Sequence, residues 1–163
     1  MIKPLLLSAA LALGATAAAA GDPVIQFETS DAEMNAAIAS AQGSMDSFFA
    51  HVLDSQGKAA DGAMVKVALK TSYGHENIWV DQITLAADGG MTGRLANEPN
   101  DLPGKHFGDI VNFDRTDLRD WSLFTGSELY GNFTTRVMVP HLDEENRAQM
   151  EQLLSKHPLP AGW

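Results

Sequence analysis

The sequence contains no cysteine. Thiol nucleophiles and thiol redox chemistry are therefore excluded, and any fold must be held by packing without disulfides. Positive charge is also scarce: 11 Lys and Arg stand against 21 Asp and Glu, a formal charge of −10. Apart from Lys3, the cations are scattered from Lys58 to Lys156 rather than clustered, so phosphate backbones and anionic membranes should be repelled. No nucleic-acid partner is expected. Acidity of this kind serves solubility, and a cationic partner is compatible with it. Catalytic signatures are missing too. There is no G-x-S-x-G elbow, no Walker-type phosphate loop and no dinucleotide G-x-G-x-x-G. His51, His75, His106, His141 and His157 show no paired ligand spacing and read as solvated or capping residues. No catalytic residue, metal or cofactor is assigned.

The N-terminus has the form of an export signal. Lys3 supplies a positive n-region, Leu5 to Ala15 an apolar h-region, and Ala18-Ala19-Ala20 an A-x-A cleavage site before Gly21. The apolar run is broken by Ser8, Gly14 and Thr16, which makes it short for a membrane span. The expectation is a signal peptide over 1–20 and a periplasmic or secreted protein cleaved after about Ala20, with no stable membrane association afterwards. The alternative is an uncleaved anchor. Cleavage leaves 143 of the 163 residues, a single-domain length, and loss of Lys3 moves the formal charge to −11.

Residues 21–30 read as a flexible leader. Ser30-Asp31-Ala32-Glu33 has the capping-box form, and Met34, Ile38, Ala41, Met45, Phe48 and Val52 recur at helical steps of three and four. Gly43-Ser44 would divide this helix, with Ser44 capping the second half. Val65, Val67 and Leu69 alternate with Met64, Lys66, Ala68 and Lys70 as in a half-buried strand. A second strand runs from Ile78 to Leu85, and Asp88-Gly89-Gly90 is a hairpin turn into Met91 to Asn97. A turn-rich loop over 98–108 precedes a short strand to Phe113, and Thr116 to Arg119 reads as one helical turn placing Trp121. The last strands are expected over 121–124 and 129–139, with Gly131 as a mid-strand bulge. Asp143 caps a final helix whose buried stripe would be Met150, Leu153 and Leu154, stopped by Pro158 and Pro160. A run of strands without interleaved helices predicts an α+β fold: a bent antiparallel sheet of five to six short strands, with an N-terminal and a C-terminal helix packed on it.

The interval from Glu76 to Trp121 carries further information. Its pieces E-x-x-W (Glu76, Trp79), G-x-L-x-N-x-P (Gly93, Leu95, Asn97, Pro99), G-D-x-V-x-F (Gly108, Asp109, Val111, Phe113) and D-W (Asp120, Trp121) occur in order. Together with Asp31 to Asn35 and Gly131 to Arg136, they resemble the YegJ-like bacterial domain of unknown function family, DUF2314. The resemblance covers residues 31–139 and implies a domain but no reaction. Residues 140–163 then form a C-terminal helix and tail.

His75-Glu76-Asn77-Ile78-Trp79 begins like the zincin motif but has Trp79 where the second histidine is needed, and it sits at a strand entrance rather than on a helix. Trp79 is expected to pack in the sheet while Glu76 bonds a neighbouring turn. Asp114, Asp117 and Asp120 lack the alternation and sharp glycine turn of a calcium loop, so Asp114 is read as a cap and Asp120 as a turn-fixing carboxylate. The candidate binding surface comprises Glu76, Trp79, Asn97, Pro99, Lys105, His106, Asp109 and Asp120. On it rests the expectation of a small binding or interaction module for a protein or small-molecule partner. The alternative is a carboxylate- and histidine-dependent hydrolase, which requires Glu76, His106, Asp109 and Asp120 to converge. A structural role in the cell envelope is a third reading.

Overall fold

The structure is a computed structural model that describes residues 31–163. The expected signal peptide and leader lie outside the described residues. The chain folds as expected into an α+β domain, an open six-stranded antiparallel sheet with four helices. Helices α1 (Ala32–Gly43) and α2 (Met45–Val52) come first. The strands are β1 (Ala63–Lys70), β2 (His75–Leu85), β3 (Met91–Leu95), β4 (Ile110–Phe113), β5 (Leu118–Thr125) and β6 (Glu128–Gly131). Helices α3 (Phe133–Met138) and α4 (Glu144–Leu153) close the order. Across the sheet the strands run β4-β3-β2-β1-β5-β6. Among the described residues no helix is long and apolar enough to cross a membrane.

One face of the sheet is the core face. The alternation in β1 buries Val65 and Val67, which lie opposite Val80 and Ile78 of β2, while Val65 also faces Trp121 of β5. Phe48 of α2 stacks on Trp121 with ring centroids 4.9 Å apart, and Ala41, Met45 and Val52 complete the helical stripe. Burial of these large side chains is the main favourable contribution to folding. A buried indole needs a polar partner, and the Trp121 Nε1–H donates to Ser44 Oγ at 2.8 Å. Ser44 therefore breaks the helix as expected, but its hydroxyl serves Trp121 and does not cap α2. The cap of α1 is Asp31, one residue later than the capping-box reading, since its carboxylate accepts from the Met34 N–H at 2.9 Å.

The expected strand over 129–139 is the main correction. β6 stops at Gly131, and residues Phe133–Met138 are helical. Gly131 has φ +70° with its Cα packed on the Trp121 ring, and Asn132 follows at φ +54°, so two left-handed residues in succession turn the chain off the sheet. The alternation of Phe133, Thr135 and Val137 suggested a strand. What overrides it is the ligation of the helix start by Asp120, described below. The stripe expected on α4 is also corrected: no residue of that helix is buried, and Leu153 is 39% exposed. Leu154 instead leaves the helix to pair in parallel with Leu129, and Ser155 N–H donates to the Leu129 carbonyl while Gly131 N–H donates to that of Pro158. The segment 154–158 thus covers the β6 edge, a common protection for a sheet edge.

Candidate functional site

Two polar assemblies stand out, one centred on a loop and clasped by Glu76, the other joining β1, β2 and β5 to α3. The first is the β3–β4 loop, 98–108. Glu76, at the start of β2, accepts the Asn100 N–H through Oε1 and the Asp101 N–H through Oε2, each at 2.8 Å. Glu98 accepts the Phe107 N–H at 2.8 Å and meets His106 Nδ1 at 2.9 Å. Asp109 accepts the His106 N–H at 2.9 Å, and Lys105 Nζ donates to the Ile110 carbonyl at 3.0 Å. Three carboxylates thus satisfy main-chain donors that a long loop would otherwise leave to water. The Phe107 amide, with His106 second, holds the Glu98 carboxyl below its ordinary range; the hydrogen bond that His106 donates to Glu98 holds the imidazole above its own. Phe107 is left 60% exposed and Ile110, the first residue of β4, 58%.

The second assembly lies on the face of the sheet opposite the core. Register sets Lys66 of β1 between Asp120 of β5 and Trp79 of β2. Lys66 Nζ sits 4.7 Å from the Trp79 ring centroid and donates to Thr134 Oγ1 at 2.7 Å. Thr134 Oγ1–H and N–H both go to Asp120 Oδ2, at 2.6 and 2.8 Å, while Asp120 Oδ1 accepts from Trp121 N–H at 2.8 Å and Phe133 N–H at 3.1 Å. Asp120 is wholly buried, and burial raises its pKa above the usual aspartate range against the lowering effects of Thr134 and Lys66. The carboxylate therefore caps α3 from a neighbouring strand. Arg136, one turn further on, donates to the Gly131 carbonyl and to the Ser155 carbonyl, each at 2.9 Å, tying α3 to the segment that covers β6.

The eight residues singled out in the sequence are thus divided. Glu76, Lys105, His106 and Asp109 all bond within or onto the loop that holds half-buried Pro99, with Asn97 half-buried at its approach. Trp79 and Asp120 belong to the outer face. The convergence needed for a carboxylate–histidine hydrolase does not occur, because Asp120 spends its oxygens on Trp121, Phe133 and Thr134. Glu76 bonds a neighbouring turn and Asp120 fixes one, as read from the sequence. Asp114 is also in a cap, its N–H donating to Asp117 Oδ2 at 2.8 Å. Lys66, Glu98, Thr134 and Arg136 were not identified from the sequence. Thr134 was hidden by the strand reading, and nothing local marks Lys66, whose partner is 68 residues away. Among the described residues no group of three or more acidic or histidine side chains is placed to hold a metal ion.

Comparison with known proteins bears on these assemblies. The chain is 30% identical over 138 residues to a protein of Neisseria meningitidis serogroup B provisionally named as an ankyrin repeat protein. The aligned region is 79% of this chain but 54% of that relative, so the chain spans about half the relative's length. No solved structure matches. The two assemblies draw their residues from Lys66 to Ser155, and a family match over residues 31–155 encloses them together with the capped first helix. The chain belongs to the DUF2314 family, described as an uncharacterized protein conserved in bacteria.

Proposed function

We propose that this chain is an exported binding or interaction module whose working surface is the β3–β4 loop. The observation that carries the reading is the way Glu76, Glu98 and Asp109 hold the loop's main chain while Phe107 and Ile110 remain exposed. A loop ordered in advance loses little entropy on binding, and this one presents the exposed Phe107 close in sequence to the exposed Ile110 at the start of β4. Pro99 and Pro103 restrict it further. Export is supported by the Lys3, Leu5 to Ala15 and Ala18 to Ala20 pattern.

The test is affinity capture from periplasmic extract by the processed protein and by a Phe107→Ser, Ile110→Ser variant. Specific capture should be lost in the variant without a change in its unfolding midpoint. Identical capture profiles would remove the loop from consideration. The mass of the protein recovered from its own cells tests export, with cleavage near Ala20 expected and the intact chain in the membrane fraction refuting it.

A further inference from the structure

The sheet has two edges, and the described residues cover one of them. The β6 edge is occupied by 154–158, whereas β4 closes the other side with no bridge beyond it among the described residues. The direction of the β4 main chain follows from its register. Leu95 N–H donates to the Asp109 carbonyl, the Leu95 carbonyl accepts from the Gly108 N–H, and Gly93 lies opposite Val111. In an antiparallel ladder alternate residues face the neighbouring strand. Positions 109, 111 and 113 therefore bond β3, while the N–H and C=O of Ile110 and Asn112 point away from it. Lys105 Nζ, which reaches the Ile110 carbonyl at 3.0 Å, marks that outward direction. An edge kept from pairing carries charged side chains. This one carries Ile110, 58% exposed, a few residues after Phe107 at 60%. Charge is divided along the same edge. Past the end of β4 a concavity of about 380 Å³ is lined by Asp88, Asp114 and Asp117 and by no cation, with Asn112 in its wall. Before the start of β4 stands Lys105, exposed and in no ion pair among the described residues.

We propose that a second copy of this chain adds its own β4 antiparallel to this edge, joining the two sheets about a two-fold axis at Val111. In that register Ile110 and the partner's Asn112 exchange N–H···O=C bonds, and the symmetric pair does the same. Every outward main-chain group of the strand is then used. The two Ile110 side chains become diagonal neighbours on one face, within reach of each other. Lys105 is carried to the level of the partner's Asp117, at the acid-lined concavity, and the partner's Lys105 to the matching place on this copy. This division of charge selects the occupant. The edge holds a cation at one end and three carboxylates at the other, which an antiparallel copy matches twice with no outside charge. β4 is only four residues long and both copies are acidic, so the pair is weak, with a dissociation constant of about 10–100 μM. The proposal deepens the loop reading by naming its partner and rests on it, because Phe107 and Ile110 are the apolar part of this contact.

Sedimentation equilibrium of the processed protein from about 5 to about 500 μM should show the mass rising from one chain towards two. Over the same range hydrogen exchange of the Ile110 and Asn112 main-chain amides should slow, while those of Val111 and Phe113, already bonded to β3, should not change. Asn112→Pro removes only an outward N–H, and proline is tolerated at a sheet edge. It should weaken pairing at least about tenfold with little change in the unfolding midpoint. Asn112→Ala should pair as wild type does. Should proline unfold the strand, Lys105→Glu reads the same contact, with an expected weakening of at least about fivefold. A mass of one chain at every concentration overturns the inference. So does dimerisation that leaves Ile110 and Asn112 exchange unchanged, or that survives both Asn112→Pro and Lys105→Glu. An extract protein that protects these two amides in a chain monomeric by itself overturns it in favour of a foreign strand. A monomeric chain whose extract capture is still lost in the Phe107, Ile110 variant would leave the loop reading standing alone. A dimer lost on Asn112→Pro, together with identical capture profiles, would support the paired edge and remove any extract partner of the loop.

Discussion

Replacing Asp120 by Asn changes one atom and tests the buried assembly directly. The Oδ1 position is retained, so the Trp121 and Phe133 N–H groups keep their acceptor. The Oδ2 position becomes an amide NH2, a donor, facing the Thr134 N–H at 2.8 Å and the Thr134 hydroxyl at 2.6 Å. The hydroxyl can rotate and accept. The buried Thr134 N–H cannot, and an unsatisfied buried donor costs about 1–3 kcal/mol. Lys66 also loses the negative charge opposite it, while the variant is relieved of burying a carboxylate. The balance is a loss of about 2–3 kcal/mol. At about 3–4 °C per kcal/mol for a chain of this size, the melting temperature should fall by about 6–12 °C. Urea unfolding at neutral pH, followed by tryptophan fluorescence, is the assay. Thr134→Val in the same background should add little once the pair is already broken. Because burial raises the folded pKa of Asp120, its ionisation is less favourable in the fold than in the unfolded chain. The wild-type advantage over Asn is therefore fullest below the ordinary aspartate range and shrinks as pH rises through the folded pKa. An unchanged midpoint, or a more stable Asn variant, would refute the view that Asp120 organises the start of α3.

Three further outcomes follow from the same geometry. Gly131→Ala places a Cβ 2.3 Å from the Trp121 carbonyl oxygen and 2.5 Å from its ring at φ +70°, so it should cost about 3–4 kcal/mol by equilibrium unfolding; a loss below 1 kcal/mol, a value of order one mild substitution, would contradict the packing described. The Glu98–His106 clasp should have a pH window. His106, raised, contributes fully below its ordinary pKa of about 6.5 and loses that contribution as pH rises through its folded value; Glu98, lowered, contributes above about 4.5 and loses it as pH falls through its folded value. Hydrogen exchange of the Phe107 amide should therefore be slowest, relative to the intrinsic rate, between these limits, and His106→Asn should abolish the upper one. Glu76→Ala should hardly move the global midpoint, because the bonds it makes are near the surface, but it should speed exchange at Asn100 and Asp101. Equal protection in variant and wild type would mean that the loop is held by something else.

Strands β1 and β2, the Asp88-Gly89-Gly90 hairpin and the caps at Asp114 and Asp143 were legible because each depends on neighbours within a few residues. Asp143, for instance, accepts the Asn146 N–H, and Asp88 the Gly90 N–H. Such interactions leave a mark on local composition. α3 was not legible for the opposite reason. Residues 133–138 have the β-branched alternation of a strand, and their helix is specified by a carboxylate on β5 and by two left-handed residues before it. Local propensity is a weak prior that tertiary ligation overrides. α4 failed differently: it carries apolar residues, but none of them is fully buried, and Leu154 is used by β6 instead.

The same distinction separates what this amino-acid sequence determines alone from what required the assembled molecule. Composition and periodicity determined the class of fold, the core face of the central strands, the absence of thiol chemistry and the membership signalled by ordered motifs, since these depend on residue type and on spacings of two to four residues. Only the tertiary structure decided what the marked polar residues do. It placed Glu76 and Glu98 on the main chain of one loop, buried Asp120 against Thr134 on the outer face, and brought Lys66 over Trp79. The longest of those pairings, Glu76 with Asp101, spans 25 positions, and the Lys66–Thr134 bond spans 68; contact at such separations is set by strand register and chain reversal rather than by any pattern along the chain.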